Sequence, residues 1–451
     1  MKKSFLILII MFGFGMAILS PARNVNARES QPAQTSATSD TAKTPESPPD
    51  AIVFDMKYYP LSGGKDELRY NSYWGFGSRP GDSPFIKELK KNQKELTTVY
   101  NQFFKGAEWS AVEIKDKKPV AFYFDLNADG KVSDNEKILP SNTEQNPSST
   151  TTEFVTPDFV MKTEDNRKIP FRALFTVRTY NNQSNLNFMW SPSCVLEGTS
   201  KIDGQPTKLI LFTSGFDGSF DKFGNCSYYL NKSEDNIGRY IPRQTLSSII
   251  NYNGQFYNLK LKGSNEEGKT IQAVLEKYTG TTGKLTTKLT GNTDLKTKLN
   301  NASLIGSKDR TIYFNISGDQ SELPTGAYML NRGNIEYETA NDGKWRLDFT
   351  QGPEFAVEAD KTVTVEIGKP TFSISAVDES KRYQSDVKEQ TVYTKGKTIL
   401  LSRNVTGKTG ELYGRFSQID NKTNRQTDLK PSVKIAGPDG KEIASADMEY
   451  G

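Results

Sequence analysis

One short segment of the chain places oxygen-bearing groups at alternate positions, as a metal-binding loop requires. The segment runs from residue 125 to residue 136 and reads DLNADGKVSDNE. Carboxylate, amide, hydroxyl and carbonyl oxygens are the ligands that calcium prefers, and about six to eight of them surround each ion. We therefore predict a calcium site whose ligands, with the lysine contributing its backbone carbonyl, are Asp125, Asn127, Asp129, Lys131, Ser133 and Glu136.

Further positions of the segment support this prediction. Gly130 stands where such a loop turns sharply and where a Cβ atom would obstruct the turn. Glu136 is expected to bind with both carboxylate oxygens, and Ser133 either directly or through a water molecule. At its diagnostic positions the segment resembles the calcium loop of the EF-hand family. The alternative is a solvated turn, rich in Asp and Asn, that binds no metal.

The flanks of the loop depart from the EF-hand pattern. Residues 120–124, VAFYF, favour a β-strand where a regular EF-hand has a helix, and the loop is not one of a pair, as it is in calcium sensors. The resemblance covers only the loop and is to the strand-flanked loops of exported bacterial proteins. It implies an ion that fixes a loop, with a dissociation constant of about 10⁻⁴ to 10⁻³ M.

Two other segments carry oxygen atoms at a similar spacing. Residues 231–236 lack the glycine at the sixth position, and Pro242 stands where the last carboxylate belongs. A surface turn is the favoured interpretation, although a second calcium site near residues 231–235 stays open. For residues 217–221, DGSFD, a turn is likewise favoured over a ligand cluster.

The composition restricts the possible chemistry because the 451 residues include no histidine. Ser–His–Asp and Cys–His catalysis and His-ligated zinc are therefore excluded. The 58 basic and 54 acidic residues nearly cancel to a formal net charge of +4, which argues against a nucleic-acid partner. An enzyme built on this chain would have to use carboxylates, Lys, Tyr, Ser or a bound metal.

A carbohydrate-active hydrolase that uses a carboxylate pair is the alternative function. It would need an aromatic-lined cleft, and the candidate stacking residues are Trp74, Trp109, Trp190 and Trp345. Packing in or around a core is the favoured role for each of them. No segment resembles a known hydrolase motif. We therefore expect a protein that is not an enzyme, and we identify no catalytic residue.

The first residues have the pattern of a secretory signal peptide. Two lysines are followed by an apolar run over residues 5–19 and by a small-residue cleavage pattern, VNA, at residues 25–27. We expect residues 1–27 to be removed on export, the alternative being an uncleaved anchor, and residues 28–50 to form a disordered linker. No later apolar run reaches membrane-spanning length, so we expect a secreted, periplasmic or cell-surface protein.

Cys194 and Cys226 are the only cysteines in the sequence. In an exported protein, two cysteines on neighbouring strands can form a disulfide bond, which is the favoured expectation. Two buried thiols are the alternative. The separation of the two residues along the chain excludes a CxxC redox centre.

The rest of the chain favours a mainly β fold. Short runs rich in Thr, Val, Ile, Tyr and Phe alternate with Gly, Asn and Asp, as strands alternate with turns. One short helix is expected after Ser83, although residues 97–100, TTVY, favour a strand. Residues 279–300 are expected to be a linker or a long surface hairpin, and residues 438–440, PDG, a hairpin turn.

Several β-sandwich-like modules are expected. A β-rich domain with the calcium loop should occupy residues 51–292, followed by modules at residues 293–370 and 371–451. Residues 323–328, LPTGAY, with the later segment FAVEADKTVTVEIG, are similar to carboxypeptidase-regulatory or transthyretin-like modules. That resemblance implies an adhesive or scaffolding role. The last module has the strand pattern of an immunoglobulin-like sandwich.

Taken together, these features predict an exported protein in which calcium is a structural staple. The β modules predict a binding or structural role at the cell surface or in the periplasm. The expected partners are the calcium ion and either a polysaccharide or a cell-surface protein. We expect no transmembrane span in the mature chain.

Overall fold

The computed structural model describes most of the chain between residues 50 and 447. The predicted signal peptide, and all of the predicted linker except Asp50, lie outside this part. The described residues are 50–62, 73–74, 89, 96–100, 109–127, 129, 136–163, 165–180, 186–213, 218–232, 243–290, 296–316, 320–339, 343–368, 370–378, 399–420, 423, 425–428, 432–436, 439 and 441–447.

The fold is mainly β, as the sequence predicts. The strands up to residue 277 are β1 (Ile52–Pro60), β2 (Tyr73–Trp74), β3 (Leu96–Tyr100), β4 (Trp109–Lys115), β5 (Lys118–Phe124), β6 (Lys137–Ile138), β7 (Asn142–Asn146), β8 (Ser149–Val155), β9 (Phe159–Lys162), β10 (Lys168–Phe171), β11 (Ala173–Tyr180), β12 (Leu186–Pro192), β13 (Cys194–Ile202), β14 (Gln205–Phe212), β15 (Ser227–Lys232), β16 (Gln244–Thr245), β17 (Ile249–Tyr252), β18 (Gln255–Gly263) and β19 (Ile271–Lys277).

The later strands continue the same pattern to the end of the described chain. They are β20 (Thr282–Thr290), β21 (Lys296–Gly306), β22 (Tyr313–Ile316), β23 (Gln320–Pro324), β24 (Gly326–Thr339), β25 (Gly343–Thr350), β26 (Glu354–Val357), β27 (Thr362–Gly368), β28 (Thr371–Asp378), β29 (Ile399–Thr406), β30 (Leu412–Ile419), β31 (Gln426–Asp428), β32 (Ser432–Ala436) and β33 (Glu442–Asp447).

Helical structure is scarce in the described part of the chain. Of the helix predicted after Ser83, only Leu89 lies among the described residues, and it is helical. The TTVY segment that follows lies in β3. No helix in the part of the chain that the structure describes is long and apolar enough to cross a membrane.

The chain forms two compact units, and the first contains the predicted calcium loop. It comprises residues 48–280 and 305–315. Its sheets have the strand orders β16-β15-β14-β13-β1-β19-β18-β17, β2-β12-β11-β8-β7 and β3-β4-β5-β6, together with the hairpin β10-β9. Strands from all of these sheets contribute to one apolar core.

Aromatic side chains fill the part of this core next to the loop. The ring centroids of Phe122 and Phe175 lie 4.5 Å apart, and those of Phe124 and Phe159 lie 5.4 Å apart. Phe122, Phe124 and Phe175 are fully buried. Burial of each such side chain stabilises the fold by about 1.5–3 kcal/mol. The core therefore anchors β5, at whose end the loop begins.

The described part of the second unit consists of residues 281–304 and 316–447. It contains a sheet of order β23-β20-β27 and a second sheet in which β21, β24, β25, β30, β29 and β28 follow one another. β25 and β30 pair antiparallel, so residues on both sides of position 370 share one sheet instead of forming separate modules. β32 and β33 pair around Asp439, which confirms the predicted hairpin turn.

The expectation of a linker or surface hairpin at residues 279–300 is wrong. Thr282–Thr290 form β20, the middle strand of its sheet, which pairs antiparallel with β23 and parallel with β27. Burial alternates along the strand, with Leu285 1% exposed and Thr287 7% exposed. The threonines are β-branched and therefore favour a strand. Because most residues of the segment are polar, its alternation of buried and exposed positions is not visible in the sequence.

The two cysteines are buried thiols that no disulfide bond joins. The Sγ atom of Cys194 lies 3.7 Å from the carbonyl oxygen of Arg172, and that of Cys226 lies 3.2 Å from the carbonyl oxygen of Ser219. Extending the registers of β13, β14 and β15 places the cysteines on either side of Thr213. Two strand spacings separate their Cα atoms by about 10 Å, whereas a disulfide needs about 4.4–6.8 Å. Burial raises the pKa of Cys194 to about 12.

Candidate metal site

A pair of strands holds the two ends of the predicted calcium loop. β5 ends immediately before Asp125, and β6 begins immediately after Glu136. The two strands are antiparallel, with Phe122 opposite Ile138, and both of these side chains lie in the core. The strand that the sequence predicts before the loop is thus present as β5. Continued by one step, this register places Glu136 opposite Phe124, the residue before Asp125.

Asp125 and Glu136 are the most buried of the predicted ligands that the structure describes. Asp125 is 4% exposed and Glu136 is 3% exposed. Oε1 of Glu136 accepts hydrogen bonds from the backbone N–H groups of Leu126 at 3.1 Å and Asn127 at 3.3 Å. Oδ1 of Asp125 accepts one from the N–H of Asp129 at 3.1 Å. These hydrogen bonds turn both carboxylates toward the backbone of the loop.

Asn127 and Asp129 are exposed to solvent on the first half of the loop. Oδ1 of Asn127 accepts a hydrogen bond from the N–H of Asp129 at 2.9 Å. Its Nδ2 donates to Oδ2 of Asp129 at 3.2 Å. Gly130, Lys131 and Ser133 lie outside the described residues. The predicted ligands that the structure describes therefore lie at the two ends and in the first half of the loop.

The carboxylates of the loop do not converge on one point in this structure. Among the described residues, no group of three or more Asp, Glu or Cys side chains is arranged to hold a metal ion. In the loop, Asp125 and Glu136 are buried, whereas Asp129 is exposed. Binding of an ion by all three would require the Asp129 side chain to approach the buried pair.

The chemistry of the loop residues nevertheless fits a calcium ion. Asp125, Asp129 and Glu136 supply carboxylates and Asn127 supplies an amide oxygen, all of which are hard donors. Carboxylates in nearly full burial lose hydration, which polar or charged neighbours must offset. A divalent cation bound by both carboxylates would contribute to that offset. The donor set and its burial therefore match the ion that the spacing predicts.

Three side chains form a cluster on the face of this sheet that lies opposite Phe122 and Ile138, and no sequence pattern predicts it. The hydroxyl of Tyr123, on β5, donates to Oε2 of Glu113, on β4, at 2.9 Å. Nζ of Lys137, on β6, lies 3.5 Å from the same oxygen and 5.5 Å from the centre of the Tyr123 ring. A hydrogen bond with Tyr123, together with the charge of Glu113, raises the pKa of Lys137. No regular spacing marks these positions, because strand pairing alone brings them together.

The weaker oxygen-rich segments are described only in part. The carboxylate of Asp221 accepts two hydrogen bonds from the guanidinium of Arg167, at 2.7 and 3.3 Å. It therefore forms an ion pair with the connection between β9 and β10. Asn231 lies in β15 and its Nδ2 donates to the hydroxyl of Tyr229 at 3.1 Å. Residues 233–242, which complete the second candidate loop, lie outside the described residues.

The tryptophans differ in how far they are buried. Trp190 is 1% exposed and belongs to the core, so it cannot stack on a sugar. Trp345 is half-buried on β25. The side chains of Trp74 and Trp109 lie outside the described part of the structure.

The LPTGAY segment forms the corner between β23 and β24. Tyr328 is 1% exposed, and its hydroxyl donates to the carbonyl oxygen of Pro324 at 2.9 Å. The N–H of Thr325 donates to the carbonyl oxygen of Thr281 at 2.9 Å. These contacts give the segment a role in holding the corner. The similarity to transthyretin-like modules stays a prediction.

Comparison with known proteins does not assign the chain to a family. No protein-family model matches it, and no curated protein matches it. Among solved structures, it is similar to a leucine-rich repeat protein from Bacteroides thetaiotaomicron VPI-5482, with 12% sequence identity and a TM-score of 0.16. The alignment covers 49% of this chain and 24% of that chain. A TM-score of this size supports no conclusion about fold or function.

Proposed function

We propose that this chain is an exported calcium-binding protein in which one ion stabilises the loop between β5 and β6. The ion acts as a staple within a modular structural or binding protein of the cell surface or periplasm. The β modules would contact a polysaccharide or a cell-surface protein. The proposed ligands, with the lysine acting through its carbonyl oxygen, are Asp125, Asn127, Asp129, Lys131, Ser133 and Glu136.

The burial of two carboxylates at the two ends of one loop, taken together with the oxygen spacing between them, carries this proposal. Asp125 is 4% exposed and Glu136 is 3% exposed, although both belong to a surface connection between strands. Asp and Glu are rarely buried this deeply, so two of them at the ends of one loop distinguish it from an ordinary solvated turn. The oxygen spacing over residues 125–136 favours calcium as the ion that such a loop would bind.

Hydrogen bonds from the backbone orient two of the proposed ligands at the start of the loop. The N–H of Asp129 donates to Oδ1 of Asp125 at 3.1 Å and to Oδ1 of Asn127 at 2.9 Å, so the chain bends back on itself. Calcium would draw the exposed carboxylate of Asp129 to the buried pair and neutralise the mutual repulsion of the three acids. The ion then stabilises the native state because the unfolded chain has no such arrangement.

Thermal unfolding of residues 28–451 in chelator and in about 10 mM calcium tests the proposal. With a dissociation constant of about 10⁻⁴ to 10⁻³ M, linkage adds about 1.4–2.7 kcal/mol to the stability of the folded state. We expect the wild-type midpoint to rise by several degrees. Glu136→Gln should remove most of this rise, because it replaces the carboxylate that binds through two oxygens.

Glu144→Gln is the matched control for this experiment. Glu144 is exposed on β7, outside the loop, and the substitution removes the same charge from the same unit. Its calcium response should equal that of the wild type. If calcium moves no midpoint and calorimetric titration detects no binding to the wild type, the loop is an ordinary turn and the proposed function is wrong.

A further inference from the structure

The strand that carries Glu136 toward the loop is very short. β6 consists of Lys137 and Ile138, which lie opposite Tyr123 and Phe122 of β5. A ladder of this length contributes few backbone hydrogen bonds, and β6 lies at the edge of its sheet. Side-chain contacts must therefore supply much of what keeps Glu136 in place.

The contacts of Lys137 reach beyond the neighbouring strand. β5 lies between β6 and β4 in the sheet, and the Lys137 ammonium crosses β5 to lie 3.5 Å from Oε2 of Glu113 on β4. The Tyr123 hydroxyl donates to the same oxygen at 2.9 Å and fixes the carboxylate that Lys137 meets. Tyr123 is 3% exposed and the Glu113 side chain is 26% exposed, so this hydrogen bond is partly shielded from water. The cluster thus ties β6 to the two strands beside it.

We propose that Tyr123 and Lys137 are positioning residues for calcium binding, which hold Glu136 where it meets the ion. Neither side chain is a ligand in this inference, which rests on the proposed function. Ile138 anchors β6 on one face of the sheet through the core, and the Glu113–Tyr123–Lys137 cluster anchors it on the other face. With both anchors present, the buried carboxylate is preorganised, so calcium binding costs less conformational entropy.

Because Lys137 is charged, the direction in which its substitution changes calcium affinity tests the proposal. An ammonium group next to a calcium ligand repels the ion, so removal of its charge alone should tighten binding. A positioning role predicts weaker binding on the same substitution. Tyr123→Phe removes only a hydroxyl and leaves every charge in place, so a change in affinity there reports positioning without an electrostatic contribution.

The experiment measures calcium affinity by calorimetric titration of residues 28–451, and the unfolding midpoint both in chelator and in calcium. The variants are Tyr123→Phe, Lys137→Met and Lys137→Arg, with Lys118→Met as the control. Lys118 is exposed at the far end of β5, and its substitution removes the same charge. We expect affinity to fall about three- to tenfold in Tyr123→Phe and Lys137→Met, as loss of one or two hydrogen bonds implies. Lys137→Arg and Lys118→Met should remain within about twofold of wild type.

Each contrary outcome has a distinct meaning. Tighter binding by Lys137→Met with unchanged binding by Tyr123→Phe would show a purely electrostatic effect and overturn the positioning role. An equal loss of midpoint with and without calcium, at unchanged affinity, would show a merely structural cluster and also overturn it. In both cases the wild type still binds calcium, so the proposed function stands. Absence of binding by the wild type would overturn both.

Discussion

Glu411 shows how the chain itself can satisfy a buried carboxylate. The side chain is 0% exposed. Oε1 accepts hydrogen bonds from the N–H of Gly368 at 2.7 Å and from the hydroxyl of Tyr413 at 3.1 Å. Oε2 accepts from the N–H and the hydroxyl of Thr409, at 3.1 and 2.7 Å. These four donors fill the roughly four lone-pair positions of a carboxylate. Burial alone is therefore no sign of a metal, and at Asp125 and Glu136 the oxygen spacing is the additional argument.

Replacement of Glu411 by Gln should destabilise the second unit. An amide offers an NH₂ group where one carboxylate oxygen accepts two hydrogen bonds, so donors of Thr409 or of Gly368 and Tyr413 lose their acceptor. A buried donor without an acceptor costs about 1–3 kcal/mol, and we expect a loss of about 2–4 kcal/mol in urea unfolding. Glu354→Gln, at an exposed position of β26, is the control and should change stability by less than about 0.5 kcal/mol. Equal midpoints for the two variants would contradict the structural role of Glu411.

At the level of single residues, the sequence contains a local pattern for the loop but none for side-chain contacts between strands. The spacing selects Asp125 and Glu136 as proposed ligands because a calcium loop is a local pattern along the chain. The Glu113–Tyr123–Lys137 cluster had no such signal, since its members lie on three strands that only the sheet brings together. The predicted pairing of the cysteines failed for the same reason, because the register of three strands decides their separation.

β20 shows that pairing with distant strands can make a polar segment the middle strand of a sheet. Its sequence, TGKLTTKLT, is polar, and its partners β23 and β27 lie far along the chain. Period-two burial is nevertheless visible once the partners are known, with Lys284 exposed and Leu285 buried. β5 was predictable because an apolar run of β-favouring residues reports a buried strand from composition alone.

Leu285→Ala should destabilise the second unit far more than Lys284→Ala. Leu285 is 1% exposed, so truncation removes buried methyl groups and leaves a cavity that costs about 2–4 kcal/mol. Lys284 is the adjacent residue on the exposed face of the same strand, and its truncation should cost less than about 0.5 kcal/mol. Urea denaturation of both variants measures the difference. Effects of similar size would mean that β20 does not alternate between a buried and an exposed face.

On the scale of the whole molecule, the two compact units do not follow the expected module boundaries. β20 belongs to the second unit although it precedes position 292, and β25 pairs with β30 across position 370. Local composition predicts turns and strands but does not predict which distant strands pair. The mainly β class was predictable because strand-favouring residues pervade the chain, whereas the division into units depends on long-range pairing.

Calcium should stabilise only one of the two units. The loop from Asp125 to Glu136 lies in the first unit, whose core includes Phe122 and Phe124 at the end of β5. A ligand stabilises the cooperative unit whose native state binds it. In differential scanning calorimetry of residues 28–451, we therefore expect two transitions, of which calcium raises one. Leu285→Ala should lower the other transition, which assigns each peak to its unit. A single transition that moves with both calcium and Leu285→Ala would show that the units unfold together, so that an ion bound at one loop stabilises the entire chain.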